Sequence, residues 1–202
     1  MSDFFQALKE QRWDDHRYYH HSRINQALHL VSAASFLGAY VLIFSNPVAA
    51  VLIGWLVAMT SRQIGHFFFE PKGFDHINNV TFDHKEDVKV GYNLQRKVLL
   101  FVAWISVPVL LLLSPTLWGL FSPADGRTFL DHLGILWLVL GFGGLFLRTI
   151  WLCATRSART GLVWFTKILT DPLHDVKIYH MAPVWLLRGQ WWDPMEHAQD
   201  SH

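Results

Sequence analysis

Histidine is the residue type that stands out in this chain, with 12 copies in 202 residues. His16 and His20 are four apart and share a face where the chain is helical. His20, Asn25 and His29 follow in order, and His66 is followed four residues later by Glu70. Imidazole nitrogen and carboxylate oxygen together bind divalent transition metals. Two His and one carboxylate with open positions is the usual ligand set for non-haem Fe(II) that activates O₂. A further cluster, Asp171-Pro172-Leu173-His174-Asp175, makes His174 a metal-ligand candidate. Thr170 or Asp171 reads as a helix cap there, with Pro172 at the first helical position. Asp171 and Asp175 are candidates to fix imidazole tautomers.

The elements that must position these groups are apolar. The chain is 51% hydrophobic, 15% aromatic and 16% charged, against roughly 25% charged in an average soluble domain. A disordered or collagen-like chain is excluded. A net charge of +1 gives no reason to expect nucleic acid as a partner. A single cysteine, Cys153, excludes a disulfide framework and any multi-cysteine metal site, and reads as a packed thiol. Four stretches reach the about 20 residues needed to span a bilayer: 26–45, 47–66, 98–121 and 133–153. Pro108 and Pro115 are candidate kinks in the third. The expected fold is an all-α polytopic membrane bundle of one domain, with about four transmembrane helices. It is flanked by a polar N-terminal segment, 1–25, and a tail, 154–202. Segments 160–165 and 184–187 in that tail read as interfacial helices, with Trp164, Trp185, Trp191 and Trp192 as an aromatic belt.

Of 17 basic residues, 16 fall on one side of these spans; Arg127 alone falls on the other. The positive-inside rule makes that side cytoplasmic, with both termini inside. No cleavable signal peptide is visible in the polar first 25 residues. Eleven of the 12 His lie on the same side and His132 on the other. His132, His197 and His202 read as ordinary surface histidines. The expected location is an integral membrane, the inner membrane of a bacterium or the endoplasmic reticulum of a eukaryote.

Ser45-Asn46-Pro47 closes the first two spans into a hairpin. His29 lies 17 residues before Asn46 and His66 lies 20 after it, so their depths differ by only about 5 Å. His20 and His29 are nine apart, about 13 Å along a straight helix. A bend near Ser22-Arg23, or two metal ions, brings them to a common site. Arg62, Arg23 and Arg17 are candidates to hold an anionic head group at the membrane interface.

Two segments resemble the membrane-bound 2-hydroxy fatty acid dioxygenases, Fe(II)-dependent enzymes of fatty acid α-oxidation. One runs Tyr19-His20-His21-Ser22-Arg23-Ile24-Asn25-Gln26-Ala27-Leu28-His29; the other runs Gln63-Ile64-Gly65-His66-Phe67-Phe68-Phe69-Glu70. The resemblance covers about 20 residues, with motif order and membrane placement agreeing over the first half of the chain. It implies that His20, His29 and His66 hold iron, with Asn25 and Glu70 beside it as catalytic partners. It also implies a long-chain 2-hydroxy fatty acid or related lipid as substrate, oxidised by O₂ to an acid one carbon shorter. The chain departs from the family at Lys72-Gly73-Phe74, where a proline is usual, and at Ser22-Arg23, where Asn-Pro is frequent. The stretch 170–189 has no counterpart there. Two other readings fit the histidines. One is a di-iron fatty-acyl hydroxylase or desaturase, for which 16–21 resembles a single His box. The other is a non-enzymatic membrane protein that binds a metal or haem.

Overall fold

The computed structural model describes residues 2–90, 94–122 and 126–195. The described residues are helical and contain no strand. Two isolated bridges, Ser22 to Trp192 and Asp75 to Val80, are their only extended pairings. His197 and His202 lie outside them.

Helix α1 (Ser2–Tyr19) is polar and leads into a short extended bend, from which α2 (Arg23–Leu42) starts. The hairpin turn is built by Asn46, whose side chain accepts from Ala49 N at 3.0 Å, while Pro47 opens the next helix. Proline suits that position because it has no N–H to leave unpaired. The returning limb is α3 (Pro47–Ile53), a π-helical segment (Gly54–Met59) and α4 (Thr60–Phe68), joined end to end. A connection carrying α5 (Phe82–Val88) follows, then α6 (Leu94–Leu113), α7 (Phe129–Thr155), α8 (Ala158–Tyr179) and α9 (Ala182–Leu187). Thr128 and Asp131 start α7 with a reciprocal capping box.

Three helical stretches are long and apolar enough to cross a membrane: Pro47–Phe68, Gln95–Leu113 and Phe129–Thr155. Helix α2, the expected first span, is not among them. Its first half carries Arg23, Asn25, Gln26, His29 and Ser32, and the last four are buried. It is the central helix, packed against α8, α4 and α9, so its polar groups meet protein rather than lipid. The third expected span also ends early. Its helix stops at Leu113, and Pro115 precedes a tight turn in which Leu117, Trp118 and Gly119 take positive φ. Pro115 therefore terminates the helix, whereas Pro108 sits within it.

The tail differs most from expectation. Ser157, not Thr170 or Asp171, caps α8, which runs unbroken through a buried Pro172. The helix is buried on one side against α1, α2 and α7. Trp164 is buried in the protein and not in an interfacial belt, while Trp191 and Trp192 are exposed. Asp171 lies inside α8, ion-paired to Lys167 at 2.5 Å and to Arg12 of α1 at 3.3 Å. The apolar core joins Val51, Trp55, Leu111, Leu133 and Trp137. Trp55 Nε1 donates to the Trp137 carbonyl at 3.0 Å, and Trp137 Nε1 donates to the Trp104 carbonyl at 3.1 Å.

Candidate metal centre

The bend between α1 and α2 is held on all sides. Asn25 Nδ2 donates to the Tyr19 carbonyl at 2.9 Å, and Gln26 Nε2 donates to the His20 carbonyl at 2.8 Å. Chain from beyond α9 adds main-chain bonds, from Arg23 N to the Trp191 carbonyl at 2.9 Å and from Asp193 N to the His21 carbonyl at 2.8 Å. With its carbonyls turned outward onto these donors, the bend folds His20 back toward His29.

His20, His29 and His66 meet as a buried group, each offering one nitrogen, all within 4.8 Å of one another. His20 Nε2 and His29 Nε2 are 3.1 Å apart, and the His29 and His66 ring centroids are 4.9 Å apart. The expected bend is thus present, and His29 and His66 meet across the hairpin as their similar counts from its turn require. His174, half-buried on α8, is not in the group.

Each ring turns its other nitrogen toward an acceptor. His20 Nδ1 lies 2.9 Å from the Asp15 carbonyl, and His66 Nδ1 lies 2.7 Å from Glu70 Oε2. His29 Nδ1 lies 3.5 Å from Asp175 Oδ2. A carbonyl or a carboxylate only accepts, so in His20 and His66 Nδ1 carries the hydrogen and Nε2 presents its lone pair. Burial, and then the neighbouring His29, push the His20 pKa well below its usual value and keep that ring neutral. His20 Nε2 and His29 Nε2 also lie within hydrogen-bond distance of each other, a contact that a cation bound between the rings would replace. Three buried atoms here also make no hydrogen bond within the protein: His29 Nδ1, Asp175 Oδ2 and Asn25 Oδ1. Imidazoles backed by carboxylate or carbonyl acceptors are the usual arrangement around a bound metal.

Glu70 therefore stands behind the ligands, orienting His66. It also faces two ammonium groups, Lys89 Nζ at 3.3 Å and Lys97 Nζ at 3.5 Å. Asp175 links the cluster to a candidate head-group residue, since Arg62 Nη1 lies 3.3 Å from its Oδ2. Arg23 is engaged elsewhere, with Asp193 Oδ2 at 2.9 Å and Gln26 Oε1 at 2.8 Å. Arg17 is ion-paired to Asp14 at 2.8 Å.

Sequence reasoning passed over Asp15, Tyr179, Lys89 and Lys97. Lys167 Nζ bonds Asp15 Oδ2 at 3.0 Å and ties α8 to α1 beside the site. Burial would raise the Asp15 pKa, but the Lys167 ammonium holds it well below normal. Burial would lower the Lys167 pKa, but Asp15 and Asp171 raise it above its ordinary value. Tyr179 closes the cluster from α8, 3.1 Å from His16 Nδ1. Burial and Asp175 raise its pKa, so it remains a phenol. The signal available for Lys97 was a charged residue at the head of an apolar run, which is costly without a partner.

A cavity of about 400 Å³ begins at the cluster, with His66, Arg62 and Lys97 in its wall. It continues between helices past Phe36 and Trp137 to Ala50. Ala50 and His66 are 16 residues apart on one limb, roughly 24 Å. A single leaflet of hydrocarbon is about 15 Å deep, so the cavity is longer than that. Arg23 does not line it. No protein-family model, curated protein or solved structure matches this chain.

Proposed function

We propose that this protein is a membrane-embedded non-haem Fe(II) oxygenase acting on a long-chain 2-hydroxy fatty acid or a related lipid. The convergence of three imidazoles, two of them hydrogen-bonded to an acceptor behind the ring and the third facing Asp175, carries the reading. Three neutral nitrogens leave positions open on the ion, which is what an O₂-activating site needs and a closed structural site lacks. Bound Fe(II) would supply the redox chemistry that activates O₂. The reaction balances without an external reductant: a 2-hydroxy acid and O₂ give an acid one carbon shorter, CO₂ and water.

The chain's own groups supply the rest. Arg62 and Lys97, in the cavity wall beside His66, pair with the substrate carboxylate. The apolar continuation of the cavity holds the acyl chain and excludes water. Glu70 and Asp175 keep His66 and His29 in the tautomer that presents Nε2. The distribution of basic residues supports a cytoplasmic face for this end of the bundle; both termini lie inside because α2, shielded by its neighbours, makes a fourth crossing beside the three apolar helices. The resemblance of the two His segments to the 2-hydroxy fatty acid dioxygenases supports the same assignment.

The test is metal analysis and O₂ uptake on anaerobically purified protein in lipid nanodiscs. One iron per chain, and one O₂ consumed per 2-hydroxyhexadecanoic acid, are expected. His66→Ala should lose both while still inserting into the membrane. Two irons per chain would instead establish the di-iron reading. A Soret band, or iron-free protein without O₂ uptake, would overturn the oxygenase.

A further inference from the structure

A second cavity, of about 560 Å³, lies between the π-helical segment and α4 on one side and α6 on the other. We propose that it is a lateral entry site, which takes one acyl chain with a carboxyl head from the bilayer and delivers it to the cavity at His66.

Continuity is the first ground. Trp55, Met59, Gln63, Lys97 and Leu100 line both cavities, so a ligand in one is a wall's thickness from the other. Setting is the second. Both walls belong to helices apolar enough to cross a membrane. The lining residues Ile64, Phe68, Val98 and Phe101 are 38%, 75%, 47% and 42% exposed. The mouth is therefore apolar and turned outward, as an opening toward lipid must be.

Polar chemistry is the third ground, and it selects the ligand. Lys97, only 7% exposed, brings an ammonium group to the junction. Its partner Glu70 Oε2 is shared with His66 Nδ1. Gln63 Oε1 and Trp104 Nε1 are buried with no hydrogen-bond partner, and both residues line this cavity. An unpaired donor and an unpaired acceptor are expensive at membrane depth. A 2-hydroxy acid answers all three groups. Its carboxylate accepts from Trp104 N–H and pairs with Lys97, and its hydroxyl donates to Gln63 Oε1. A plain hydrocarbon, or the middle of a phospholipid chain, answers none.

That the entering chain is the substrate rests on the proposed function; its occupancy of this cavity does not. The test therefore uses the full-length His66→Ala protein in phosphatidylcholine nanodiscs, where no turnover is needed. The probe is 2-hydroxyhexadecanoic acid carrying a diazirine on its chain. Cross-links are expected on α4 and α6. They should fall roughly tenfold when Val98→Trp fills the cavity, and stay unchanged in Val102→Trp, an exposed α6 position outside the lining. Ile64→Trp fills the cavity from the opposite wall and should match Val98→Trp. In the otherwise unaltered iron-loaded protein, Val98→Trp should raise KM for the acid and spare kcat. Equal labelling of α6 with and without the tryptophan, or equal labelling on the exposed face of α7, overturns the entry site. Specific labelling without any O₂ uptake upholds the entry site and removes the oxygenase. O₂ uptake indifferent to Val98→Trp does the reverse.

Discussion

Gly65 sits directly against Asn25. A β-carbon at position 65 would collide with Asn25 Oδ1 and would come within 3.6 Å of the His29 ring. The missing side chain is what lets α4 close onto α2, and it brings His66 within reach of His29. Gly65→Ala should cost about 1–3 kcal/mol of stability and loosen the site, with metal affinity falling at least as far as in the Glu70 variant described next. Combined with Asn25→Ala, part of that loss should return. Chemical denaturation and metal titration of the two single variants and the double variant test the pair as a cycle.

Glu70 serves His66 and two lysines at once. Removing it frees the His66 tautomer and strands both ammonium groups. Glu70→Ala should lower metal affinity 10- to 100-fold, with three ligands still present. Glu70→Gln keeps an acceptor for His66 Nδ1 and should retain more. Competition titration against a chelator reads the order.

Arg62 and Arg23, both candidates for the substrate head group, should separate cleanly. Arg62→Ala should raise KM for the acyl acid, because Arg62 lines the cavity. Arg23→Ala should leave KM unchanged and lower thermal stability, because its partner is a buried Asp193. Asp175→Asn touches both His29 and Arg62, so metal affinity and KM should move together. Parallel metal titrations and O₂-uptake kinetics on the three variants check this.

The link between Asp15 and Lys167 gives the fold a pH signature. The Asp15 carboxyl titrates below its ordinary 3.8 in the folded state, so its contribution is present above pH 3.8 and is lost as pH falls through the folded value. Lys167 titrates above its ordinary 10.5, so its contribution is present below that value and is lost as pH rises through the folded value. The difference in unfolding temperature between the natural chain and Asp15→Asn should be constant across neutral pH. It should shrink under strong acid. A gap that instead closes near neutrality would show that Asp15 is not held by Lys167.

Much of the site was legible because helical geometry is rigid. Asn46-Pro47 marks the turn, and counting outward from it puts His29 and His66 side by side. The nine residues from His20 to His29 demand a bend, and the bend occurs where α1 ends at Tyr19 and α2 begins at Arg23. What counting missed comes from distant chain. Nothing near Glu70 announces Lys97, 27 residues away, and nothing near Arg23 announces Asp193. Hydropathy also counted 26–45 among the apolar spans, although the first half of α2 is polar and its polar groups are buried against protein. Asp171-Pro172 looked like a helix start because that pair usually is one. Here the preceding turns are fixed by burial of Val163, Trp164 and Lys167, which overrides the local preference.

The bend that carries His20 is fastened by residues 191–193, about 170 positions later in the chain. Those two main-chain bonds cannot form while the ribosome is still making the first half of the protein. Full fastening of the bend is therefore a late event, which waits for the C-terminal strap to return to the starting end of the bundle. A chain ending at residue 189 would keep the Asn25 and Gln26 bonds across the bend and lose the two main-chain bonds that close it from the far end.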